Sequence, residues 1–333
     1  MRRREFISFV GGAAAAAWPL AVGAAVISAV TRLAWAHDYP TRPVRFILPV
    51  VAGGSTDVVA RLVGEHLSRA FGQQFIVDNR SGAGGTAGME AVAKSASDGY
   101  TILVTSDRVA SAQHAFKLNF DPIKDLAPIS QLTRQPLVLA VHHSLGMGSL
   151  ADFLARAKAQ PGMNYATAGV GIHQHVVGEW FQKLAGIKLA LVPYRGGGQV
   201  INDLIAGHVK IAVLGSTPLL PHYKAGTLRL LAQSSAARSP ALPDVPTFQE
   251  ASFNGLVLDQ WIGAFAPAGT QQAIIDRLNV AINKVLIVPA VRENLEYQAL
   301  EPVATSVAEA TRLFREDVEK YGRLMTELNI SAK

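Results

Sequence analysis

The stretch VRFILPVVAGGSTDVVARLVGEHLSRAFG, residues 44–72, carries the patterns of a strand, a glycine loop and a helix in succession. Residues 44–51 are continuously apolar and rich in β-branched side chains, which indicates a strand covered on both faces. Ser55 and Thr56 are suited to cap the helix that follows, and apolar residues then recur at helical spacing up to Gly72. The pattern predicts the strand-loop-helix unit of an α/β fold.

The same alternation continues along the chain and predicts parallel or mostly parallel sheets with helices on both faces. Further strands are predicted at residues 75–79, 100–106, 136–142, 164–168, 189–194, 210–216, 228–235 and 256–267. Helices are predicted at about residues 55–71, 89–94, 150–160, 176–184 and 200–206, and two or three amphipathic helices close the chain, the last at about 307–328. About 300 residues exceed one comfortable core, so we expect two domains. We place the first at residues 38–135 together with 258–333, and the second at 136–257.

The first 36 residues are predicted to be an export signal. They contain Arg3-Arg4 near the start, an alanine-rich middle and Ala34-Trp35-Ala36 as a small-x-small cleavage site. The arginine pair is typical of twin-arginine export, although a general secretory signal fits as well. An uncleaved membrane anchor is the alternative, but Pro19 and the alanine content make a poor permanent span. The predicted location is therefore the periplasm.

Composition excludes several classes of protein. The chain has 49% hydrophobic and 17% charged residues, which is typical of a globular protein. Half of its formal charge of +6 lies in the predicted signal, and no basic run interleaved with aromatics indicates nucleic-acid binding. The cysteine count of 0 excludes disulfides, thiol catalysis and a thiolate metal site. Neither a phosphate-binding P-loop nor a G-x-S-x-G nucleophile motif is present.

Two glycine loops, AGGSTD at residues 52–57 and TAGVGIH at 167–173, occupy the position where α/β proteins bind ligands. Each exposes backbone N–H groups at the positive end of a helix dipole, which suits a carboxylate. Taken singly, such loops are more often tight turns and helix caps. The pairing of two loops in two predicted domains favours a cleft for a carboxylate solute. The candidate ligand-binding residues are Ala52, Gly53, Gly54, Ser55, Thr56, Asp57, Ser106, Thr167, Ala168, Gly169, Gly171 and His175.

Other candidates for chemistry are weaker. The pairs His173/His175 and His142/His143 have poor spacing for a metal ion, so no metal site is predicted. Asp57 is more readily explained as a first-turn acid than as a general base. Trp261 is expected to fill core more than to stack on a ligand.

The sequence resembles the Bug-type solute receptors of tripartite tricarboxylate transporters. The similar segments are YPTRPVRFILPVVAGGSTDVVAR, GQQFIVDNRSGAGGTAG, SDGYTILVTS, YATAGVGIHQHVVGE, VPYRGGGQVINDLIAGHVK, AGTLRLLAQSSAARSPALPDVPTFQEA and WIGAFAPAGT, and they cover nearly all of the chain after the signal. Two segments depart from the usual pattern. Residues 50–52 stand where an aromatic and a proline are common, and residues 172–174 stand where smaller residues are usual.

The resemblance implies two Rossmann-like domains in a periplasmic-binding-protein (type II-like) arrangement, with an interdomain ligand cleft. It implies that residues 52–57 hold the ligand from one side and that Thr167, Gly169, Gly171 and His175 hold it from the other. It further implies two integral membrane transporter subunits as partners and no catalysis. We expect a small organic acid as ligand, no cofactor and a monomeric protein. A ligand-sensing adaptor for a signalling receptor would have the same site, and an exported hydrolase is the third alternative.

Overall fold

Eleven strands form two sheets in the computed structural model, which describes residues 39–331 except for the side chain of Ala83. The strands are β1 (Val44–Leu48), β2 (Phe75–Asn79), β3 (Thr101–Ser106), β4 (Leu126–Gln135), β5 (Leu137–His142), β6 (Met163–Thr167), β7 (Leu189–Pro193), β8 (Ile211–Gly215), β9 (Leu228–Gln233), β10 (Gln260–Pro267) and β11 (Glu301–Pro302). Sheet 1 has the order β11-β4-β10-β3-β1-β2, and sheet 2 has the order β7-β6-β8-β5-β9.

Helices follow most strands, as the alternating pattern predicts. They are α1 (Ser55–Phe71), α2 (Thr86–Ala93), α3 (Arg108–Ala115), α4 (Pro122–Asp125), α5 (Leu150–Ala159), α6 (His173–Ala185), α7 (Gly197–Ile205), α8 (Ser216–Lys224), α9 (Gln272–Leu286), α10 (Pro289–Tyr297) and α11 (Val307–Glu327). The strand and the helix predicted within residues 44–72 are confirmed as β1 and α1, and Gly72 ends α1 in the left-handed conformation. The three closing helices α9 to α11 are confirmed too.

The prediction of mostly parallel sheets is wrong, because five of the nine strand pairings are antiparallel. The reason is the path of the chain between the sheets. The chain leaves sheet 1 at the end of β4 and returns on β10, which runs antiparallel beside β4 with Gln260 opposite Gln135. In sheet 2, β5 runs antiparallel to both of its neighbours, β8 and β9. The parallel pairings are confined to β1 with β2 and β3, and to β6 with β7 and β8.

Sheet 2 buries apolar side chains on both faces, as its alternating side-chain direction requires. Leu139 of β5 belongs to an apolar cluster with Phe181 of α6, whereas Ala140 belongs to a second cluster with Leu204 of α7 and Leu219 of α8. The first cluster also includes apolar residues of sheet 1, such as Leu103 of β3. Apolar packing therefore continues from one sheet to the other.

Several elements differ from the sequence prediction. Strands β4 and β11 and helices α3, α4 and α8 were not predicted, and β10 begins at Gln260 instead of residue 256. The predicted export signal, residues 1–36, lies outside the residues that the structure describes. Among the helices that it does describe, none combines the length and the apolar character that a membrane span requires.

Candidate functional site

Five helices begin around one narrow cavity with a volume of about 30 Å³. These helices are α1, α3, α6, α7 and α8, and they start directly or shortly after β1, β3, β6, β7 and β8. The lining residues are Val50, Val51, Gly54, Ser55, Thr56, Ser106, Arg108, Ala168, His173, Gln174, Gly197, Leu214, Gly215, Pro218 and Gln260. Residues of both sheets and of the loops that follow their strands therefore form the wall.

Three of the five helices present amide groups that have no acceptor. The first two amides of α1, α6 and α7 donate to no group within residues 39–331; they belong to Ser55, Thr56, His173, Gln174, Gly197 and Gly198. The starts of α3 and α8 differ, because Arg108 N–H donates to Ser106 Oγ and Thr217 N–H donates to Gln135 Oε1. Unfilled amides at converging helix starts create a positive potential that suits an anion.

The first glycine loop lies directly at the cavity. Of its predicted residues, Gly54, Ser55 and Thr56 line the wall, whereas Ala52, Gly53 and Asp57 do not. The structure assigns Asp57 a bracing position: its carboxylate accepts from Arg61 at 2.9 and 3.0 Å, from Asn79 at 3.1 Å and from the Gly53 amide at 3.3 Å. Burial raises the pKa of Asp57, but these hydrogen bonds outweigh burial and hold the pKa below its ordinary value.

The second glycine loop uses most of its polar groups internally. Ala168 lines the cavity, and its amide donates to Gln174 Oε1 at 2.8 Å. Thr167 Oγ1 donates to the Gly169 carbonyl at 2.8 Å, and the Gly171 amide donates to His175 Nδ1 at 3.1 Å. None of these last four residues lines the cavity. Their contacts hold the loop in shape.

Gly171 and His175 occupy packed positions. A Cβ on Gly171 would lie 2.1 Å from the Cβ of Ala115, and the residue has a φ of +67°. Burial lowers the pKa of His175 below its ordinary value of 6.5, although Glu179 opposes this shift. A neutral imidazole is required for Nδ1 to accept the Gly171 amide.

A third glycine loop, residues 196–198, was not among the predicted site residues. A Cβ on Gly198 would lie 2.3 Å from the Ala52 carbonyl oxygen, and one on Gly196 would lie 2.7 Å from Val51 Cγ2. The first loop therefore contacts this third loop, whose Gly197 also lines the cavity. The signal was present in the sequence, because VPYRGGGQ repeats the order of strand, glycines and helix that marked the other two loops.

A cluster of buried polar side chains closes one side of the cavity. Ser106, a predicted site residue, and Arg108 line the wall, and Asp107 between them is fully buried. The Asp107 carboxylate accepts a hydrogen bond from Tyr321 Oη, and its Oδ1 lies 2.5 Å from His173 Nδ1 without hydrogen-bond alignment. Burial and the neighbouring carboxylate raise the pKa of Tyr321 well above its ordinary value. His173 Nε2 has no partner within residues 39–331.

Arg108 links the cavity to an outer pocket. Its Nη1 donates to the Gly84 carbonyl and its Nη2 to the Ala168 carbonyl at 3.2 Å. Gly84 and Ala168 line this outer pocket, which offers about 460 Å³ and also includes Gly169 and Arg195. The guanidinium therefore lies between the two spaces.

The remaining candidates take no part in the cavity wall. Trp261 is buried, packs near Phe265 with ring centroids 6.2 Å apart, and donates from Nε1 to Asp317. This agrees with the interpretation of Trp261 as a core residue. In the part of the chain that the structure describes, no group of three or more His, Asp and Glu side chains is arranged to hold a metal ion.

Comparison with known proteins identifies the family. Residues 59–330 match the family described as the tripartite tricarboxylate transporter family receptor. The chain belongs to this family. It is 36% identical over 305 residues to protein BugT of Bordetella pertussis, which covers 90% of this chain and 93% of BugT.

Two solved structures are similar to this chain over most of its length. One is the periplasmic binding protein BugD, with a TM-score of 0.85 and 27% identity, covering 89% of this chain and 100% of BugD. The other is a protein of R. palustris solved with adipate, with a TM-score of 0.86 and 30% identity, covering 89% of this chain and 100% of that protein. The predicted fold class, two α/β halves in the arrangement of a periplasmic binding protein, is confirmed.

Two residues from each of the segments 50–52 and 172–174 lie in the cavity wall. Val50 and Val51 belong to the first segment, and His173 and Gln174 belong to the second.

Proposed function

We propose that this chain is a periplasmic receptor that captures a small carboxylate solute in the cavity and delivers it to membrane transporter subunits. The observation that carries the proposal is that five residues whose backbone amides have no acceptor within residues 39–331 line one narrow cavity: Ser55, Thr56, His173, Gln174 and Gly197. Amide pairs at helix starts hold a carboxylate without a competing side chain, and each charge-assisted hydrogen bond is stronger than a neutral one.

Supporting observations come from the family. BugD is a periplasmic binding protein, and the R. palustris relative was solved with adipate, a dicarboxylate. The family description names a tripartite tricarboxylate transporter, which supports membrane subunits as partners. In this proposal the solute lies between a domain formed by residues 38–135 with 258–333 and a domain formed by residues 136–257. The export signal at residues 1–36 would bring the receptor to the periplasm.

The test is isothermal titration calorimetry with a panel of carboxylates of two to six carbons. The panel contains acetate, propionate, succinate, malate, adipate and citrate, and their neutral amides serve as controls. We expect at least one acid to bind with a dissociation constant in the micromolar range or below and to raise the unfolding temperature. Absence of binding by every acid at millimolar concentration would contradict the proposal.

A further inference from the structure

Arg108 is a buried cation for which the described residues 39–331 provide no ion pair. The residue is 3% exposed and lines the cavity. Its neighbour Asp107 is the nearest source of negative charge, but that carboxylate is engaged by Tyr321 Oη and lies against His173. A buried charge is costly unless it is paired, so the charge of Arg108 calls for a compensating anion.

The hydrogen bonds that the guanidinium makes within residues 39–331 neither use all of its N–H groups nor neutralise its charge. It donates to two neutral carbonyls, of Gly84 and Ala168, while Nε has no acceptor within residues 39–331. Burial lowers the pKa of Arg108 to about 10, so the side chain still carries its full charge at neutral pH. Carbonyl oxygens satisfy N–H groups but do not neutralise a formal charge.

The helix amides and Arg108 impose different requirements on a ligand. The amides of Ser55 and Thr56 can donate to any oxygen with a free lone pair, including the oxygen of a neutral carboxamide. A buried guanidinium adds a requirement for charge, because a neutral ligand leaves it uncompensated in surroundings of low dielectric constant.

We propose that Arg108 pairs with the anionic group of the ligand and makes this cavity select acids over neutral amides of the same shape. This inference rests on the proposed function, since it concerns the ligand of the same cavity. Arg108 is then the specificity-determining residue for charge, whereas the helix amides orient the oxygen atoms. The position was not predicted from the sequence, because its helix α3 carries no regular apolar pattern.

The experiment measures affinity by calorimetry for propionate, succinate and adipate and for propionamide, succinamide and adipamide. The wild type is compared with Arg108→Met, Arg108→Lys and, as a matched control, Arg156→Met on the exposed side of α5. For the acid that binds the wild type, we expect at least about 100-fold preference over its amide.

Arg108→Met should weaken binding of that acid by about 30-fold or more and bring the acid and its amide within about threefold of each other. Arg108→Lys retains the positive charge but lacks the planar guanidinium group, so its affinity for the acid should be about tenfold lower than that of the wild type. Arg156→Met should match the wild type.

Two results would overturn the inference while leaving the proposed function intact. One is an Arg108→Met variant that binds the acid within threefold of the wild type. The other is an equal loss for the acid and the amide, which would show that Arg108 shapes the cavity without sensing charge. A third result, no binding of any acid to the wild type, would contradict the proposed function itself and with it this inference.

Folding of the variants is checked without ligand. We expect Arg108→Met to unfold within about 3 °C of the wild type, because the loss of two carbonyl hydrogen bonds is offset by removal of an unpaired buried charge. If Arg108→Met and Arg108→Lys both unfold far below the wild type, Arg108 is a structural support and the inference is overturned.

Discussion

The first and second glycine loops have the same sequence signature but differ in how their polar groups are used. In the first loop the amides of Ser55 and Thr56, which lie at the cavity, have no acceptor in the described part of the chain. In the second loop the Ala168 amide donates a hydrogen bond to the Gln174 side chain, and the Gly171 amide donates one to the His175 side chain. A strand followed by glycines and a helix therefore predicts available amides only where no nearby side chain accepts them.

This difference assigns separate tasks to the two loops. The first loop supplies donors to the cavity, and the third loop, at residues 196–198, lies against the first loop and adds Gly197 to the wall. The second loop contributes Ala168 and His173 to the wall, while hydrogen bonds of Thr167 and Gly171 maintain its shape and Gly171 packs against α3. Substitutions in the first loop should therefore affect binding, and substitutions in the second loop should affect stability.

The largest effect is expected for Gly171→Ala in the second loop. The new methyl group would overlap with Ala115, and the backbone has a φ of +67° that disfavours any side chain. We expect the free energy of unfolding, measured with urea, to fall by about 3 kcal/mol.

Gly186→Ala is the matched control for Gly171→Ala. Gly186 has a φ of +62°, but nothing lies within 4 Å of its added Cβ, so this change introduces only the backbone strain, of about 1 kcal/mol. Equal stability losses in the two variants would show that the second loop is not tightly packed against Ala115.

Gly54→Val in the first loop should weaken ligand binding with little effect on stability. Gly54 has a φ of −93°, and the atoms nearest to an added Cβ are those of Gly197 and Gly198 at 3.9 to 4.0 Å. The larger side chain would therefore extend into the space between the first and third loops. We expect calorimetry to show binding at least about 10-fold weaker and urea unfolding to change by less than about 1 kcal/mol.

Gly148→Val, at an exposed glycine before α5, is the control for Gly54→Val. Normal binding by Gly54→Val would contradict the role of the first loop.

Gly169→Val, the corresponding change in the second loop, is a less informative test of ligand binding. Gly169 has a φ of +150° and an added Cβ would lie 3.5 Å from Arg108 Nη1, so that change would disturb folding and the cavity together.

A smaller effect is expected from pH, again in the second loop. The pKa of His175 is lowered in the folded protein, so the unfolded chain takes up this proton more readily. Stability from the neutral imidazole is therefore complete above pH 6.5 and is lost as the pH falls below 6.5 through the lowered pKa. In the first loop, the pKa of Asp57 is lowered in the folded protein. The stability that its carboxylate contributes is therefore complete above about pH 4 and is lost only as the pH falls further.

His175→Gln tests this pH dependence, because the glutamine oxygen can still accept the Gly171 amide without titrating. We expect the fall in the free energy of unfolding between pH 7 and pH 5 to be about 1 kcal/mol smaller than in the wild type. The exposed His208→Gln is the control. A pH dependence unchanged by His175→Gln would show that the second loop does not depend on a neutral imidazole.

The sequence predicts the parts of the fold that depend on local pattern. Residues 44–51 have the apolar run of a covered strand, and β1 and α1 follow as expected. Strand β4 was missed because LAPISQLTRQ contains a proline and several polar residues, and its position depends on pairing with β10, far along the chain. The direction of β10 follows from the path of the chain between the sheets, which no local pattern records.

The candidate site was predictable to a similar degree. The glycine loops and Ser106 can be recognised from sequence, and five predicted residues, Gly54, Ser55, Thr56, Ser106 and Ala168, line the cavity. In the second loop, Gln174 and His175 accept hydrogen bonds from backbone amides. These bonds depend on the conformations of the two side chains, which the sequence does not specify. Arg108 becomes a candidate only when the fold shows that it is buried and that none of the described residues forms an ion pair with it.

The most direct test of the central claim is a crystal structure of the protein with the acid that binds most tightly in the calorimetric panel. The account predicts the carboxylate inside the cavity, with its oxygens about 2.7–3.2 Å from the amides of Ser55 or Thr56 and from the Arg108 guanidinium. An acid bound elsewhere on the protein, with only water at these amides, would contradict it.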